Sequence, residues 1–357
     1  MQVAFYAPMK PPEDPRPSGD RTMARALLSA LAAAGVDATV ASHLRSRDKE
    51  GCPKAQALLF EAAQTEVTRI LDQVDRPRWR AWVTYHNYYK APDLIGPKVA
   101  KALNIPYLLI EATRAQKRLS GPWAEFARAA EMASDAADAI LYFTSRDAET
   151  LHRDATPGQQ LKHLRPFLAR DALPSQRAGG DGILCVGMMR AGDKLASYKL
   201  VAETVKKLGS RTWQLTIVGD GPARQEIERL MMPFGNKVRF AGTLSHDEVQ
   251  GAYHGADLFL WPGVNEAFGM VYLEAQAKGV PVVAQARPGV REVLAPSAAA
   301  PPPDLGSQAL AQSVDSLLGD SAVRNRASAD ARAYVAAHHL RPAAADTLAR
   351  TLAQVGA

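Results

Sequence analysis

The chain has 357 residues, of which 47% are hydrophobic and 22% are charged, and its formal net charge is +6. This length exceeds the usual size of a single hydrophobic core, and the composition is ordinary for a soluble globular enzyme, so we expect two domains. The positive excess is mild and no basic stripe alternates with aromatic residues, which argues against a nucleic-acid partner.

The two cysteines, Cys52 and Cys185, are far apart in the chain. Because they form no Cys-x-x-Cys pair, we expect no thiolate zinc site, and a reduced, cytoplasmic setting fits best. No apolar run reaches membrane-spanning length, and residues 1–14 lack the apolar core of a signal peptide. We therefore expect a cytoplasmic protein, whose positive charge permits peripheral attraction to the anionic inner surface of a membrane.

Residues 1–168 alternate short apolar runs with helical patterns. An apolar run predicts a buried strand, whereas apolar residues at helical spacing predict a helix. Their regular alternation predicts a Rossmann-like α/β domain. The predicted strands are 2–7, 37–41, 81–85, 107–111 and 139–143, and the predicted helices are 23–34, 54–71, 97–103, 122–133 and 145–153.

Two positions in this half stand where ligands commonly bind. Ser18 and Gly19 precede the first helix, where backbone N–H groups either meet a phosphate or acceptor or belong to a plain helix cap. His86 follows the third strand, at the edge where open α/β sheets place their ligands. From the residues alone, the functional and the structural interpretation both stay open at each position.

Further polar and aromatic side chains follow the third and fourth strands. Weaker candidates for lining an acceptor site come directly after the third strand: Tyr88, Tyr89 and Lys90. After the fourth strand, Arg114, Lys117 and Arg118 form a basic cluster. Such a cluster either meets a phosphate or forms a solvated face, and the solvated face is favoured.

The alternation restarts after a polar, glycine-containing linker at residues 169–182. Residues 183–338 predict a second Rossmann-like domain, and a break at Arg341 and Pro342 sets off a last helix within residues 339–357. The predicted strands of this half are 183–186, 213–218, 238–241, 257–261 and 280–284.

The run G-D-G-P-A-R at 219–224 superficially suggests a dinucleotide-binding loop. A nicotinamide fingerprint needs G-x-G-x-x-G and an acidic residue about 20 positions later. Arg224 stands in place of the third glycine, and the region around Arg239 offers no carboxylate. A nicotinamide-dependent oxidoreductase is therefore a distant alternative.

Residues 257–292 carry the densest pattern in the chain. A short apolar strand ends at a Pro-Gly pair, and a helical pattern begins a few residues later. Gly269 lets the backbone approach a ligand closely, and the free N–H groups of Gly269, Met270 and Val271 open the helix. A helix N-terminus beside a glycine is a natural anion site, best suited to phosphate.

Two glutamates flank this expected anion site. Glu266 lies ahead of the helix start, and Glu274 lies about one turn inside the helix. A carboxylate at the second position can accept hydrogen bonds from a diol such as ribose. One ligand that contains a sugar, a diphosphate and a ribose would touch all three features.

The whole string at 266–284, E-A-F-G-M-V-Y-L-E-A-Q-A-K-G-V-P-V-V-A, closely resembles the Glu-x7-Glu signature of the retaining GT-B glycosyltransferases of family 4. The resemblance covers the second half of the chain densely and the first half loosely. It implies two Rossmann-like domains that face each other across a cleft, with a C-terminal helix that crosses back to the first domain. It also implies that the second domain holds most of a nucleotide-sugar donor.

The resemblance assigns roles to residues of this chain. Glu266 would orient the donor sugar and stabilise positive charge at its anomeric carbon, and Glu274 would bind the ribose. His86 would lie near the donor sugar, and Gly19 would face the diphosphate and acceptor. The remaining donor contacts would come from Thr243 and Leu244 beside the base and from Phe268, Gly269, Met270 and Val271 around the phosphates.

This sequence departs from the family pattern at two places. Family members carry an Arg directly after the Gly that corresponds to Gly187 and a Lys about five residues later, and both clamp the diphosphate. Here Met188 takes the first place, so we assign the clamp to Arg190 and Lys194. Relatives also carry a second His after the fourth strand, where this chain has residues 112–114, A-T-R.

The resemblance therefore implies a retaining glycosyltransferase. We expect it to be metal-independent, because no Asp-x-Asp is present to hold a metal-bound diphosphate. We expect no cofactor, a UDP-sugar in preference to a GDP-sugar as donor, and a bacterial role in glycan, glycolipid or small-molecule glycoside synthesis. The acceptor is unidentified, and a membrane-associated lipid or a glycan is considered. One alternative is a nucleotide-sugar epimerase or hydrolase, which product analysis would separate. The other is a catalytically silent nucleotide-sugar binding protein, which any turnover would exclude.

Overall fold

Two parallel β-sheets organise the computed structural model, which describes residues 1–16, 18–75, 77–209 and 212–357. The chain folds into two units. The first unit contains Met1–Arg165 and Arg341–Ala357, and the second contains Pro166–Leu340. Each unit has its own sheet and its own buried apolar core.

The first unit is built on a six-stranded sheet in which all paired strands are parallel. The strands are β1 (Gln2–Tyr6), β2 (Asp37–Ser42), β3 (Trp82–Asn87), β4 (Tyr107–Ala112), β5 (Ala139–Tyr142) and β6 (Gln160–His163). Their spatial order is β2-β1-β3-β4-β5-β6. The short edge strand β6 is absent from the predicted strands, because its four residues are only half-buried and include three polar ones.

The helices of this unit begin close to their predicted positions. They are α1 (Gly19–Ala33), α2 (Pro53–Asp72), α3 (Gly96–Leu103), α4 (Ala124–Ala136) and α5 (Ser145–Arg153). Helix α1 starts four residues before the predicted residue 23, because the Ser18 hydroxyl accepts a hydrogen bond from the N–H of Arg21 at 3.3 Å. Ser18 is therefore the N-cap of this helix.

The second unit is built on a five-stranded parallel sheet. The strands are β7 (Ile183–Val186), β8 (Leu215–Val218), β9 (Val238–Gly242), β10 (Leu258–Leu260) and β11 (Val282–Val283), in the order β11-β10-β7-β8-β9. Apart from the edge strand β9, their residues are almost all buried, as expected for parallel strands covered on both faces. The predicted α/β class with two parallel sheets is confirmed.

The helices of the second unit connect these strands and continue beyond the last one. They are α6 (Asp193–Lys206), α7 (Arg224–Met231), α8 (His246–Gly255), α9 (Met270–Ala277), α10 (Pro288–Arg291), α11 (Gly306–Gly319) and α12 (Ser321–His338). The last helix, α13 (Arg341–Gln354), belongs to the first unit and packs against α1. At its start, the Arg341 guanidinium donates a hydrogen bond to the Ser29 hydroxyl at 2.9 Å.

The structure corrects the favoured interpretation of the basic cluster after the fourth strand. Arg114 is buried, and its guanidinium lies 2.8 Å from Glu131 and 2.6 Å from Asp135, both on helix α4. Arg114 is therefore neither solvated nor free for a phosphate, whereas Lys117 and Arg118 are exposed. The partners of Arg114 lie 17 and 21 residues later in the chain, so local sequence gives no sign of them.

None of the helices in the described part of the chain combines the length and the apolar character that crossing a membrane requires.

Candidate functional site

The loop between β10 and α9 builds a helix start with free backbone donors. Gly269 has a φ of 79°, and a Cβ atom there would lie 2.6 Å from the Tyr272 ring, so glycine is required on two counts. In the described residues, no backbone acceptor pairs with the N–H groups of Met270 and Val271. These donors and the positive end of the helix make the segment suitable for an anion.

Glu266 lies in this loop and contacts a cation and an indole N–H at once. Its Oε1 atom accepts a hydrogen bond from Trp261 Nε1 at 2.9 Å and forms an ion pair with the Lys194 ammonium. The ammonium also lies 5.4 Å from the centre of the Trp261 ring. The side chains of Lys194 and Glu266 are 27% and 13% exposed, so the pair is partly shielded but open to a ligand.

Helix α6 fixes the position of the loop that carries Glu266. The Val264 N–H donates to the Ser197 hydroxyl at 3.0 Å, and the Asn265 amide donates to the Asp193 carboxylate at 2.9 Å. Asn265 has a φ of 50°, which places it in the left-handed region that Asn tolerates. Because Lys194 lies in the first turn of the same helix, α6 positions both members of the Lys194–Glu266 pair.

Glu274 lies inside α9, beneath the helix start. Its Oε2 atom accepts a hydrogen bond from the Tyr253 hydroxyl at 3.2 Å. Burial raises the pKa of Glu274, although the Tyr253 hydrogen bond and the charges of His246 and Arg170 oppose that rise. In the free protein, the ionised form of Glu274 is therefore poorly solvated. Among the described residues, only the neutral Tyr253 hydroxyl donates a hydrogen bond to it.

Three loops at the carboxyl end of the second sheet are joined by backbone hydrogen bonds. The Met189 N–H donates to Asp220 O at 2.9 Å, and the Gly219 N–H donates to Gly242 O at 2.8 Å. A Cβ atom at Gly219, whose φ is 135°, would lie 2.0 Å from Gly187 O. The two glycines of the G-D-G segment at 219–221 thus allow two loops to cross closely. Their presence is explained by this packing and does not require a bound dinucleotide.

The remaining predicted donor contacts lie on these loops. Arg190 is exposed, and its side chain has no ion pair with the described residues, whereas Lys194 is paired with Glu266. Met188, in the place of the family Arg, is 50% exposed. Beyond Gly242, Thr243 is exposed, while Leu244 is half-buried and packs on the core, as do Phe268, Met270 and Val271.

His86 lies in the first unit beside an acidic partner that the sequence pattern did not single out. Its Nε2 atom lies 3.3 Å from Oε2 of Glu111, which stands at the end of the neighbouring strand β4. His86 and Glu111 have φ values of 74° and 61°, although neither is glycine. Such backbone strain is concentrated at functional sites, so it strengthens the case for His86.

The charge environment of His86 favours the imidazolium form. Burial disfavours the charge, but the carboxylates of Glu111, Asp20 and Asp147 outweigh burial and raise the pKa of His86. In the same unit, Gly19 is the first residue of α1, and no atom lies within 4 Å of the position its Cβ would take. That space leaves room for a ligand at the start of α1.

The structure thus brings some predicted residues together and leaves others apart. Glu266 and Lys194 form a direct pair next to the α9 start, whereas Arg190 has no such contact in the described residues. Sequence reasoning missed Trp261, Tyr253 and Glu111. The sequence predicts only that Trp261 lies in a buried strand. Nothing in a sequence indicates that its indole N–H donates a hydrogen bond to Glu266, five residues later.

No group of three or more His, Cys, Asp or Glu side chains that would suit a metal ion occurs in residues 1–16, 18–75, 77–209 and 212–357.

Comparison with known protein families and sequences finds matches among glycosyl transferases. Residues 180–320 match the family model of glycosyl transferases group 1. The alpha-D-kanosaminyltransferase of Streptomyces kanamyceticus is 27% identical over 289 residues, which cover 76% of this chain and 74% of that protein. The sulfoquinovosyl transferase of Arabidopsis thaliana is 35% identical over 98 residues, which cover 28% of this chain and 18% of that protein.

Solved structures match nearly the whole chain. Sucrose-phosphate synthase from Thermosynechococcus elongatus has a TM-score of 0.72 at 18% identity, with 99% of this chain and 98% of that chain covered. Anabaena Alr3699/HepE in complex with UDP has a TM-score of 0.68 at 14% identity, with 99% and 100% covered. At these identities the likeness concerns the fold, and the predicted GT-B fold is confirmed.

Proposed function

We propose that the chain transfers a sugar with retention of configuration from a nucleotide-diphosphate sugar to an acceptor hydroxyl. The proposal starts from the match of residues 180–320 to the glycosyl transferases group 1 family and from the similarity to a kanosaminyltransferase. The Lys194–Glu266 pair beside the α9 start carries this proposal. It sets a cation and free N–H groups, suited to a diphosphate, next to a carboxylate suited to a positively charged sugar carbon.

The diphosphate is held by positive charge and backbone donors from the second unit. Lys194 and Arg190 supply the charges, and the amides of Gly269, Met270 and Val271 supply the hydrogen bonds. Phe268 shapes the start of this segment. These groups neutralise the charge that builds on the leaving nucleotide without a metal ion, which is why the proposed reaction is metal-independent.

Other residues recognise the rest of the donor. Glu274 binds the ribose hydroxyls, and backbone groups of Thr243 and Leu244 contact the base. We favour a UDP-sugar over a GDP-sugar. The Anabaena structures with UDP and with UDP-glucose support a nucleotide-sugar donor by analogy of fold, and a mannosyltransferase relative from Corynebacterium glutamicum is described as GDP-mannose-dependent.

In the reaction, the bond between the anomeric carbon and the diphosphate oxygen breaks, and the acceptor oxygen bonds to the same face of the sugar. The leaving diphosphate takes the proton of the acceptor hydroxyl. Glu266 stabilises the positive charge on the anomeric carbon while neither bond is fully formed, and His86 contacts the donor sugar. We place this reaction in the bacterial cytoplasm, at the inner membrane surface if the acceptor is a lipid, and the product is a glycan, glycolipid or small glycoside.

The experiment is nucleoside-diphosphate release from a panel of UDP-, GDP- and ADP-sugars, with chelator present and no acceptor added. Slow release from one donor is expected to identify the base and the sugar. NMR of the released sugar, recorded before its anomers interconvert, is expected to show the retained configuration. Loss of all release in chelator, with recovery on added Mg²⁺ or Mn²⁺, would contradict metal independence. Thermal stabilisation by a nucleotide without release from any donor would favour a silent binding protein, which is the interpretation that Met188 supports. Neither release nor stabilisation by any nucleotide would contradict the nucleotide-sugar site itself.

A further inference from the structure

Three aromatic rings and two cations form a cluster on the first unit, on the loops that follow strands β3 and β4. We call Tyr88, Tyr89, Lys90, Arg118 and Trp123 the aromatic–cation cluster. The Tyr88 and Tyr89 ring centres lie 5.6 Å apart, and those of Tyr89 and Trp123 lie 5.8 Å apart. The rings are half-buried and come from two separate loops, so the fold, and not one local turn, assembles them.

Both cations of the cluster lie over the same two rings. The Lys90 ammonium is 4.9 Å from the centre of Trp123 and 5.7 Å from that of Tyr89. The Arg118 guanidinium is 5.1 Å from Tyr89 and 5.5 Å from Trp123. Two like charges, which repel each other, are thereby held over the same pair of rings.

No carboxylate in the described chain forms an ion pair with Lys90 or Arg118. Arg114, which has a structural role, differs from Lys90 and Arg118 because two carboxylates pair with it. Nearby acids have other partners: Glu111 lies against His86, and the Asp48 carboxylate accepts hydrogen bonds from Glu50, Gly51, Cys52 and Gln56. The cluster therefore holds positive charge that the chain does not neutralise.

The cluster lies at the edge of the sheet where a ligand is expected. It follows the carboxyl ends of β3 and β4, and the rings of Tyr88 and His86 are 6.1 Å apart. In open α/β sheets, ligands bind at this edge. An arginine fork and a lysine point charge together suit a phosphate, and adjacent aromatic rings suit the less polar remainder of the same molecule.

We propose that the aromatic–cation cluster binds the phosphate ester of the acceptor, so that the acceptor is a phosphorylated molecule. The assignment to the acceptor rests on the proposed function, since a transferase needs a second substrate. The chemistry is shared by a soluble polyol phosphate and by the headgroup of an anionic phospholipid. Glycerol 1-phosphate and vesicles of phosphatidylglycerol in phosphatidylcholine serve as the two probes.

The test measures binding of both probes to the full chain, the double variant Lys90→Gln/Arg118→Gln, and the control Arg80→Gln/Lys101→Gln. Both doubles remove two exposed or half-exposed positive charges, but Arg80 and Lys101 lie before β3 and at the end of α3, away from the carboxyl edge. We expect the cluster variant to lose about 10-fold or more in affinity for the preferred probe. The control should lose less than about 3-fold.

The two probe arms decide between the sources of the phosphate. Glycerol 1-phosphate binding without vesicle binding indicates a soluble acceptor, and the reverse indicates a lipid headgroup. Equal affinity of the wild type and the cluster variant for both probes, or binding of glycerol as tight as that of glycerol 1-phosphate, would overturn the proposal. Thermal unfolding confirms that the variants fold.

A separate readout keeps this proposal apart from the proposed function. Nucleoside-diphosphate binding is measured on the same variants and should not change, because the residues proposed to hold the nucleoside diphosphate, such as Lys194 and Glu274, belong to the second unit. Phosphate-probe binding at the cluster in a protein that releases nucleotide from no donor would contradict sugar transfer but not the anion site. Normal donor turnover with no phosphate-probe binding would contradict the anion site alone.

Discussion

The indole N–H of Trp261 donates a 2.9 Å hydrogen bond to Glu266, while the ring of the same residue lies 5.4 Å from the ammonium of Lys194. Trp261 is fully buried and packs edge-on against Tyr198, with ring centres 5.0 Å apart. The buried side chain of Trp261 therefore contacts both the Glu266 carboxylate and the Lys194 ammonium of the candidate site.

Replacing Trp261 with Phe separates these two contributions. Phe keeps an aromatic face for Lys194 but removes the N–H that orients Glu266. We expect turnover of the donor to fall about 10-fold, because a hydrogen bond to a charged group is worth about 1.5–3 kcal/mol, while nucleoside-diphosphate affinity stays within about 3-fold. Steady-state kinetics and calorimetric titration measure the two quantities.

Trp213→Phe is the matched control for this variant. Trp213 is also a buried tryptophan of the second unit with a lysine over its ring, Lys237 at 5.0 Å, but it lies away from Glu266. Its replacement should lower thermal stability without a selective loss of turnover. Equal losses of turnover in the two variants would show that Trp261 acts only through packing.

Lys194→Gln tests whether the cation of the pair serves the diphosphate. The variant removes the charge that is proposed to hold the diphosphate, so we expect nucleoside-diphosphate affinity to fall about 10- to 100-fold and its salt dependence to weaken. Lys199→Gln is the control, since Lys199 lies on the same helix but is exposed and pairs with Glu226 at 3.3 Å. A similar loss for both lysines would mean a general effect of charge and not a clamp.

Glu274→Gln should stabilise the free protein while it weakens nucleotide binding. Because burial raises the pKa of Glu274, ionising it costs folding free energy, and stability falls as the pH rises from the unfolded pKa through the folded one. We therefore expect the variant to unfold at a higher temperature than wild type at pH 8, with a smaller difference near pH 4. Each unit of pKa shift corresponds to about 1.4 kcal/mol.

Calorimetric titration with the preferred nucleoside diphosphate completes this test. The amide lacks the negative charge that accepts strong hydrogen bonds from ribose hydroxyls, so affinity should fall about 10-fold. Unchanged affinity would remove Glu274 from the donor site, and lower stability of the variant at pH 8 would show that the Tyr253 hydrogen bond outweighs the cost of burial.

The fold could be predicted from the sequence where burial is nearly complete. Strands such as Ile183–Val186 are continuous apolar runs, and their predicted and observed bounds agree. Edge elements gave weaker signals: Gln160–His163 was missed, and the predicted strand 280–284 is only Val282–Val283. Val280 and Ala284, which flank this strand, are buried as well. Hydrophobic composition alone therefore does not show where the hydrogen bonding between strands ends.

The candidate site could be predicted only where its geometry follows from local spacing. Gly269 and the two glutamates of the signature occupy one loop and one helix, so their arrangement follows from the period of that helix. Contacts between distant segments are different. The Lys194–Glu266 pair joins residues 72 apart, and which of Arg190 and Lys194 reaches the loop depends on where α6 begins, which no local pattern states.

Glu111→Gln tests whether the acid beside His86 keeps that imidazole protonated. Burial opposes the imidazolium, but Glu111, with Asp20 and Asp147, raises the pKa of His86 above its ordinary value of 6.5. A raised folded pKa gives stability that is complete below pH 6.5 and is lost as the pH rises through the folded pKa. The variant should thus be less stable than wild type at pH 5.5, and the difference should shrink towards pH 9. NMR titration of the His86 ring should show a lower pKa in the variant, whereas exposed Glu61→Gln should leave it unchanged. If His86 titrates identically in all three proteins, Glu111 does not control its charge, and the strained backbone at both residues needs another explanation.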